Sequence, residues 1–434
     1  MSRTKTKVWR EFALKENTAS IQRNFMWNTV GSLVYQGCLW AMTILVAALA
    51  SLEDVGVLRL CMSISNMLFT VAIYGIRAFQ VSDLSGKYSD KDYVFARFFT
   101  CGAAFAACLV PAVVQGKSFA VAASIMVYML FRISEAIMDV LHGIDQRADR
   151  LDIAGKSFTM RGIISIVSFA LVLGVSKNLL LALVVMALCS FAIVLLYDVP
   201  AAKRLGNFTR PFTLINSASL LKECFPLVCY AFLNTAIANI PVLFLESIHG
   251  SAVLGIYSAV SAPAVIIQMG ATYIFTPFIT GFARLYTDKN QKGFYGMIAK
   301  MSLAILAIGV CGVIGGALLG NWGLHLIYPT KPETWQNVGL LVPTIISAVV
   351  TAFVLFYNML LTIIRDFKGL VISNLLGIVF CVGACPVLIR LYSLQGTNLA
   401  LLLSLCVQLA GLMCFGFYKS KKHFATGNGD TPTA

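Results

Sequence analysis

Charged residues are scarce in this chain of 434 residues. Asp, Glu, Lys and Arg together make up 12% of the sequence, whereas globular proteins contain about 25% charged residues. Hydrophobic residues make up 59%, and the mean hydropathy is +0.82. A soluble core of this length could not enclose so much apolar surface. The composition therefore excludes a soluble globular protein and indicates a membrane protein.

Residues that bind metals or form disulfides are few or poorly spaced. The four histidines are scattered, and the twelve cysteines include no CxxC pair, so neither a metal site nor a disulfide framework is predicted. Two Gly-Lys-Ser triplets, at 116–118 and 155–157, have Pro111 and Arg150 where a P-loop has its first glycine. ATP hydrolysis by that route is excluded. We expect no cofactor and no enzymatic activity.

Apolar stretches follow one another along almost the whole chain. A transmembrane helix needs about 20 mostly apolar residues, and short polar breaks separate twelve stretches of that kind, whereas strands explain them poorly. The predicted fold is therefore an all-α polytopic membrane protein with about twelve transmembrane helices. The predicted spans are 25–50, 55–79, 97–116, 118–141, 161–176, 178–199, 225–246, 252–282, 294–320, 338–364, 370–390 and 397–418.

Positive charge predicts the orientation of these spans, because Lys and Arg are retained on the cytoplasmic side. Of the 33 Lys and Arg residues, four fall on the side of the short loops and two lie within spans, so 27 remain for the other side. Both termini are then predicted to be cytoplasmic. This bias, together with attraction to anionic lipid headgroups, explains the net charge of +14 without a nucleic-acid partner.

The long loop at 200–224 divides the spans into two groups of six. We predict a basic, amphipathic cytoplasmic segment and two six-helix lobes joined by a cytoplasmic linker and followed by a cytoplasmic tail. Their predicted ranges are 1–24 for the segment, 25–199 for the N-lobe, 200–224 for the linker, 225–418 for the C-lobe and 419–434 for the tail.

A weak internal repeat relates the second span to the eighth. Six spans per half give both halves the same orientation, so a repeat would be parallel. At an offset of 199 residues the two spans align without gaps, although shared helix-like composition accounts for part of the match. The identical pairs are Gly56 with Gly255, Ala72 with Ala271, Tyr74 with Tyr273 and Phe79 with Phe278.

The second span carries polar residues at helical spacing. They are Arg59, Ser63, Asn66, Thr70 and Arg77. On one continuous helix these positions fall within a stripe about 60° wide. A lipid-facing Arg costs about 2.5–3.5 kcal/mol, so the stripe is predicted to face protein or a water-filled cavity and to bind substrate. The alternatives are that Arg59 reaches outward to Glu53 and Asp54 and that Arg77 anchors the helix end.

The fourth span adds a second stripe, which is Tyr128, Arg132, Glu135 and Asp139. Arg132 and Glu135 are spaced to form an ion pair. Arg132 is a predicted substrate contact, and Glu135 and Asp139 are predicted ion-coupling candidates; a purely architectural ion pair is the alternative. Two further candidate substrate contacts are Asn28 in the first span, where hydrogen bonding between helices is the simpler interpretation, and Gln268 in the eighth.

Four segments resemble polysaccharide flippases of the Wzx type. They are 24–36 (NFMWNTVGSLVYQ), 74–83 (YGIRAFQVSD), 142–162 (HGIDQRADRLDIAGKSFTMRG) and 254–277 (LGIYSAVSAPAVIIQMGATYIFTP). Such flippases belong to the MOP superfamily, which also contains the multidrug MATE exporters and the lipid II flippases.

This resemblance implies two six-helix lobes around a central cationic cavity in the cytoplasmic membrane. It further implies alternating access and movement of an oligosaccharide linked to undecaprenyl diphosphate, with H⁺ or Na⁺ as a possible coupling ion. In MATE exporters an acidic residue of the first lobe, often in the first helix, takes the coupling cation. The span 25–50 has no ionisable residue, which counts against the alternative of an ion-coupled exporter of small amphipathic molecules. A receptor or assembly scaffold is the third class.

Overall fold

The chain is helical throughout the part that the computed structural model describes, namely residues 21–83, 86–114, 116–275 and 278–425. Most of the predicted 1–24 segment lies outside these residues. The helices are α1 Ile21–Leu49, α2 Leu52–Ile73, α3 Ile76–Ser82, α4 Asp90–Val114, α5 Phe119–Arg147, α6 Leu151–Ser176, α7 Leu179–Ile193, α8 Val199–Leu205, α9 Leu214–Ser261, α10 Ala264–Phe275, α11 Ile279–Thr287, α12 Gln291–Ile327, α13 Pro332–Gln336, α14 Leu341–Ile363 and α15 Phe367–Ala425. A π-helix, Val194–Asp198, joins α7 to α8, and a 3₁₀ turn, Val338–Leu340, precedes α14.

Ten helices of the described residues are long and apolar enough to cross a membrane. Two of them, α9 and α15, have 48 and 59 residues and contain one non-helical residue each, Gly250 and Ser393. Gly250 separates the predicted seventh and eighth spans, and Ser393 separates the eleventh and twelfth. Division at these residues yields the twelve predicted segments, and the all-α membrane fold is confirmed. The orientation of the termini stays a prediction.

Several predicted loops are helical in the structure. Helix α5 continues to Arg147 and α6 begins at Leu151, so the predicted loop at 142–160 shrinks to three residues. Charged residues on buried helix faces made this segment look like a loop. The predicted eighth span is interrupted instead, by a turn at Ala262 and Pro263, because proline lacks an N–H donor and disfavours helical geometry in the residue before it.

The second predicted span is broken near its end. Tyr74 and Gly75 both have left-handed backbone conformations, with φ of 50° and 66°, so α2 ends at Ile73 and Arg77 lies on the separate helix α3. Glycine adopts this conformation without steric cost, whereas tyrosine does so rarely. The prediction of one continuous polar face from Arg59 to Arg77 is therefore wrong.

The chain divides into two compact units by contact. The first contains the residues up to Met42 and Ile64–Cys229, and the second contains Thr43–Ser63 and Tyr230–Ala434.

In the first unit, α5 packs against α3, α4, α6 and α7. Helix α1 joins this group through Asn24, whose amide nitrogen donates to the Asp149 carbonyl at 2.6 Å and whose amide oxygen accepts from the Asp152 backbone N–H at 3.0 Å. Further along, a Cβ on Gly31 would lie 2.0 Å from the Gly155 carbonyl oxygen. Two glycines thus allow α1 and α6 to approach backbone to backbone.

In the second unit, α14 packs against α10, α12 and α15. Its apolar core is rich in buried aromatic rings, among them Phe275, Phe282, Phe294 and Phe356. A chain of side-chain amides also links its helices. Asn358 donates to Asn234 at 2.8 Å, and Gln408 donates to Asn374 at 2.8 Å. Such bonds hold helices together where apolar surface drives no association.

Gly56 and Gly255, which the 199-residue offset pairs, lie in the same helix crossing of the second unit. A Cβ on Gly56 would be 1.8 Å from the Ser251 carbonyl oxygen and 3.0 Å from the Gly255 nitrogen, and a Cβ on Gly255 would be 1.7 Å from the Leu52 carbonyl oxygen. Contact between equivalent positions is what a two-fold relation between two helices produces. The predicted repeat itself stays a prediction.

We expect Gly56→Ala to destabilise the protein by about 1–3 kcal/mol, because the added methyl group meets backbone atoms that cannot rotate away. Gly102→Ala is the matched control, since nothing lies within 4 Å of a Cβ there, and alanine is the better helix former. Thermal unfolding of both variants in detergent measures the effect. Equal melting temperatures for the two variants would contradict the close crossing.

Candidate functional site

Seven polar residues of the first unit form two hydrogen-bonded groups, one around Asp139 and one around Glu135 on the next turn of the same helix, which together we call the arginine network. Five helices contribute to it: α1, α3, α4, α5 and α6. Its members are Tyr35, Arg77, Arg97, Arg132, Glu135, Asp139 and Arg161.

Asp139 accepts from two arginines. Its Oδ1 accepts from Arg77 at 3.3 Å and its Oδ2 from Arg97 at 2.8 Å. Arg77 also donates to the Gln146 side chain at 3.0 and 3.2 Å, and Arg97 donates to the Ala72 carbonyl at 2.7 Å. That carbonyl lies in the last turn of α2, where the helix supplies no partner. The break after α2 is thus stabilised by Arg97, and it places α3 so that Arg77 reaches α5.

Glu135 forms the second centre of the network. Its Oε2 accepts from Arg132 at 2.5 Å and from the Tyr35 hydroxyl at 2.7 Å. The ion pair with Arg132 that the i,i+3 spacing predicts is present. The Arg132 guanidinium carbon also lies 3.8 Å from the centre of the Phe69 ring, a cation–π contact that fixes its position.

Arg161 is enclosed behind this centre, with no exposed surface. It donates to the Phe131 carbonyl at 2.9 Å, to the Ser134 hydroxyl at 2.8 Å and to the Tyr35 hydroxyl at 3.3 Å. Sequence reasoning assigned Arg97 and Arg161 to the edges of spans, and both are buried instead. One signal for Arg161 was available, because Ser157 and Ser165 lie four residues on either side and mark one buried helix face.

The network has a buried side and an accessible side. The Arg77 and Asp139 side chains are each 24% exposed, whereas that of Arg97 is 1% exposed. The side chains of Arg132 and Glu135 are 11% and 14% exposed, and Arg132 as a whole residue is buried. Each of the two groups contains two guanidinium groups and one carboxylate, so each has one more cation than it has anions. Because low-dielectric surroundings strengthen electrostatic attraction, such a set can bind an anion through Arg77 and Arg132.

A fully enclosed cluster of His142, Asp145 and Asp198 lies next to the network. The His142 Nε2 is 3.3 Å from the Asp198 Oδ1, and neither carboxylate oxygen of Asp145 has a hydrogen-bond partner. Arg77 interacts electrostatically with Asp145. None of the three side chains is exposed. They therefore offset part of the positive charge of the network from inside the unit, and they do not contact a ligand at its surface.

The other predicted substrate contacts of the first and second spans differ in accessibility. Ser63 is fully enclosed, and Thr70 is buried with its hydroxyl bonded to the Met67 carbonyl of its own helix at 2.6 Å. Asn66 and Asn28 are half-buried, and the backbone of Asn28 lies against Gly155. Of these four residues, Asn66 and Asn28 keep accessible surface.

Arg59 and Gln268 belong to the second unit, so the structure does not assign them to the arginine network. Arg59 interacts electrostatically with Tyr257, whose hydroxyl donates to Asn398 at 2.9 Å. The break after α2 lies between Arg59 and Arg77 in the chain.

Comparison with known proteins agrees with this architecture. The family model described as "Polysaccharide biosynthesis protein" matches residues 21–283. The capsular polysaccharide biosynthesis protein CapF of Staphylococcus aureus is 27% identical over 315 residues, which cover 70% of this chain and 77% of CapF.

Solved structures share the fold at low sequence identity. An inward-facing multidrug MATE transporter of the MOP superfamily has a TM-score of 0.67 at 12% identity and covers 94% of this chain and 100% of its own. The inward closed form of the lipid II flippase MurJ has a TM-score of 0.66 at 13% identity, with 93% and 88% covered. The resemblance predicted from the sequence is confirmed: this multi-pass membrane protein has the MOP-superfamily transporter fold and belongs to the polysaccharide biosynthesis protein family.

Proposed function

We propose that this protein is a flippase of the cytoplasmic membrane that moves oligosaccharide repeat units linked to undecaprenyl diphosphate, by alternating access, for surface polysaccharide biosynthesis. The observation that carries the proposal is the arginine network, a partly exposed set of guanidinium groups inside a bundle of membrane-spanning helices. A substrate with a diphosphate between a lipid and a sugar presents the anion that such groups bind.

Arg77 and Arg132 are the proposed diphosphate contacts, because they are the arginines of the network with accessible surface. In the absence of substrate Asp139 and Glu135 hold them, and a phosphate oxygen takes the place of a carboxylate oxygen on binding. This exchange avoids the large free-energy cost of an unpaired buried charge, because each guanidinium keeps an anionic partner at every stage. Arg97 and Arg161 act as positioning residues behind them.

We therefore propose that the main role of Glu135 and Asp139 is to act as counter-ions of the arginines. Ion coupling is their additional role. Both Asp139 oxygens accept from guanidinium groups, and one Glu135 oxygen accepts from both Arg132 and Tyr35. A competing phosphate frees these carboxylates at the moment of binding. A proton or Na⁺ taken up at that moment would couple ion binding to substrate binding.

Arg59, which lies on α2 in the second unit, is proposed as a second contact. Its guanidinium offers a further cation to the diphosphate of the substrate. Asn66, Asn28 and Gln268 are half-buried and suit hydrogen bonding to sugar hydroxyls, whereas Ser63 and Thr70 would need a different conformation to reach substrate.

Proteoliposomes that contain a fluorescent undecaprenyl-diphosphate oligosaccharide test this function. We expect the protein to make the inner-leaflet sugar accessible to an impermeant reagent added outside. The same sugar on a neutral polyprenol should move slowly, since it lacks the anion. Rapid movement of both lipids, or movement of cationic dyes in place of either, would contradict the proposal and favour the amphipathic-cation exporter.

Asp139→Asn should tighten substrate binding by about thirtyfold and slow turnover. Removal of one negative charge about 8 Å from a bound phosphate is worth roughly 2 kcal/mol at an effective dielectric constant of about 20, and the tightly held substrate is then released slowly. Substrate binding measured in detergent checks the predicted tightening. The initial transport rate measured in proteoliposomes checks the predicted slower turnover. Weaker binding in Asp139→Asn would show that Asp139 contacts the substrate favourably.

A further inference from the structure

A second cationic cavity opens on the first unit, beside the start of α6. Its volume is about 410 Å³, and its polar lining consists of Arg150, Tyr197 and Arg204. Leu196 and Pro200 line its apolar part. None of the seven residues of the arginine network lines it, so it is a different site.

Two guanidinium groups line the positive end of this cavity. Hydrogen bonds hold that of Arg150 in place, whereas that of Arg204 is exposed. Arg150 follows Asp149, which has a left-handed backbone with φ of 55°, and two bonds to Asp152 at 2.8 and 3.2 Å hold its side chain. Arg204 lies in the last turn of α8 and is exposed. Lys156, 3.7 Å from Asp152, adds charge nearby. The buried Asp152 pairs with two of these three cations, and the buried Asp145 also interacts electrostatically with Arg150, whereas Arg204 is the exposed cation of the lining.

The apolar end of the cavity has the character of a lipid-facing surface. Leu196, which lines the cavity, is 79% exposed and lies in the π-helix Val194–Asp198. One-turn π-helices of this kind occur frequently at functional sites. Leu196 lies eight residues before Arg204, or about 12 Å along the helix. The cavity therefore joins a cationic rim to an apolar wall over a distance that suits a headgroup and the first part of an acyl chain.

We propose that this cavity binds an anionic phospholipid, with the phosphate between Arg150 and Arg204 and an acyl chain along Leu196. Basic pockets between transmembrane helices bind anionic headgroups in this way. Tyr197 supplies an amphipathic side chain of the type found at membrane interfaces. A soluble phosphate would satisfy the two arginines equally well but would leave the apolar wall without a partner, which is why the lipid is favoured.

Lipid binding to the purified full-length protein tests the site, with phosphatidylglycerol as the probe and zwitterionic phosphatidylethanolamine as the comparison. Native mass spectrometry and competition binding report the bound lipid. We expect Arg204→Gln to weaken phosphatidylglycerol binding about fivefold and to leave phosphatidylethanolamine binding unchanged. Lys203→Gln is the matched control, because Lys203 is the adjacent exposed cation and does not line the cavity.

Three other results would overturn the proposal. Unchanged phosphatidylglycerol binding in Arg204→Gln, or an equal loss in Lys203→Gln, means that the cavity does not select the lipid. Displacement of phosphatidylglycerol by millimolar inorganic phosphate as readily as by the lipid itself assigns the cavity to a soluble anion. Because Arg204 is exposed, its replacement is not expected to alter folding, and a thermal unfolding curve equal to that of the wild type verifies this.

Discussion

Replacement of Arg77 by glutamine should lower translocation of the diphosphate-linked oligosaccharide by about 10- to 100-fold. A hydrogen bond to a charged group contributes about 1.5–3 kcal/mol, and Arg77 is the most exposed guanidinium of the arginine network. Glutamine keeps a polar side chain but removes the charge and most donors. Arg77→Lys should retain part of the activity, since lysine offers the charge without the planar fork that binds two oxygens.

Transport in proteoliposomes and substrate binding in detergent should both fall in Arg77→Gln. Arg284→Gln is the matched control, because Arg284 is 84% exposed and pairs with Asp288 at 3.5 Å on the surface of α11, a type of pair that contributes little. Wild-type transport by Arg77→Gln at normal expression would assign Arg77 to anchoring the helix end. Loss of transport in both variants would indicate a general effect of reduced positive charge.

The twelve segments could be predicted from the sequence because each needs a long apolar run in order to cross a bilayer. The ends were harder to predict. The stretch around Asp145, Arg150 and Asp152 has the composition of a polar loop, yet helix continues on both sides of a three-residue turn. Asp145 is buried without a hydrogen-bond partner, and the buried Asp152 pairs with Arg150; a hydropathy pattern records neither burial nor pairing.

One ion pair of the arginine network could be predicted from local spacing. Arg132 and Glu135 are three residues apart on one helix, and that distance alone brings their side chains together. The partners of Asp139 are 62 and 42 residues away in the chain, so only the packed structure reveals them. Gly75 was the one sequence signal for the left-handed turn at Tyr74 and Gly75. Because tyrosine rarely adopts a left-handed conformation, the residue before the glycine did not indicate a break.

Arg97 should matter for stability more than for contact with substrate. It is 1% exposed and bonds to both Asp139 and the Ala72 carbonyl, so it joins α4 to α5 and covers the end of α2. Removal of one member of a buried ion pair typically costs 3–5 kcal/mol. We expect Arg97→Met to destabilise the protein by about that amount, measured as a lower midpoint of thermal unfolding in detergent.

A double-mutant cycle separates the ion pair from the helix end. In Arg97→Met with Asp139→Asn the carboxylate is gone as well, so the loss should be smaller than the sum of the single losses by about 1–3 kcal/mol. Additive losses would mean that Arg97 acts through Ala72 alone. Arg97→Lys should recover only part of the stability, because one ammonium group lacks the span of a guanidinium that reaches Ala72 and Asp139 with separate nitrogens. Full recovery by lysine would reduce the role of Arg97 to its charge, and the break after α2 would then need another explanation.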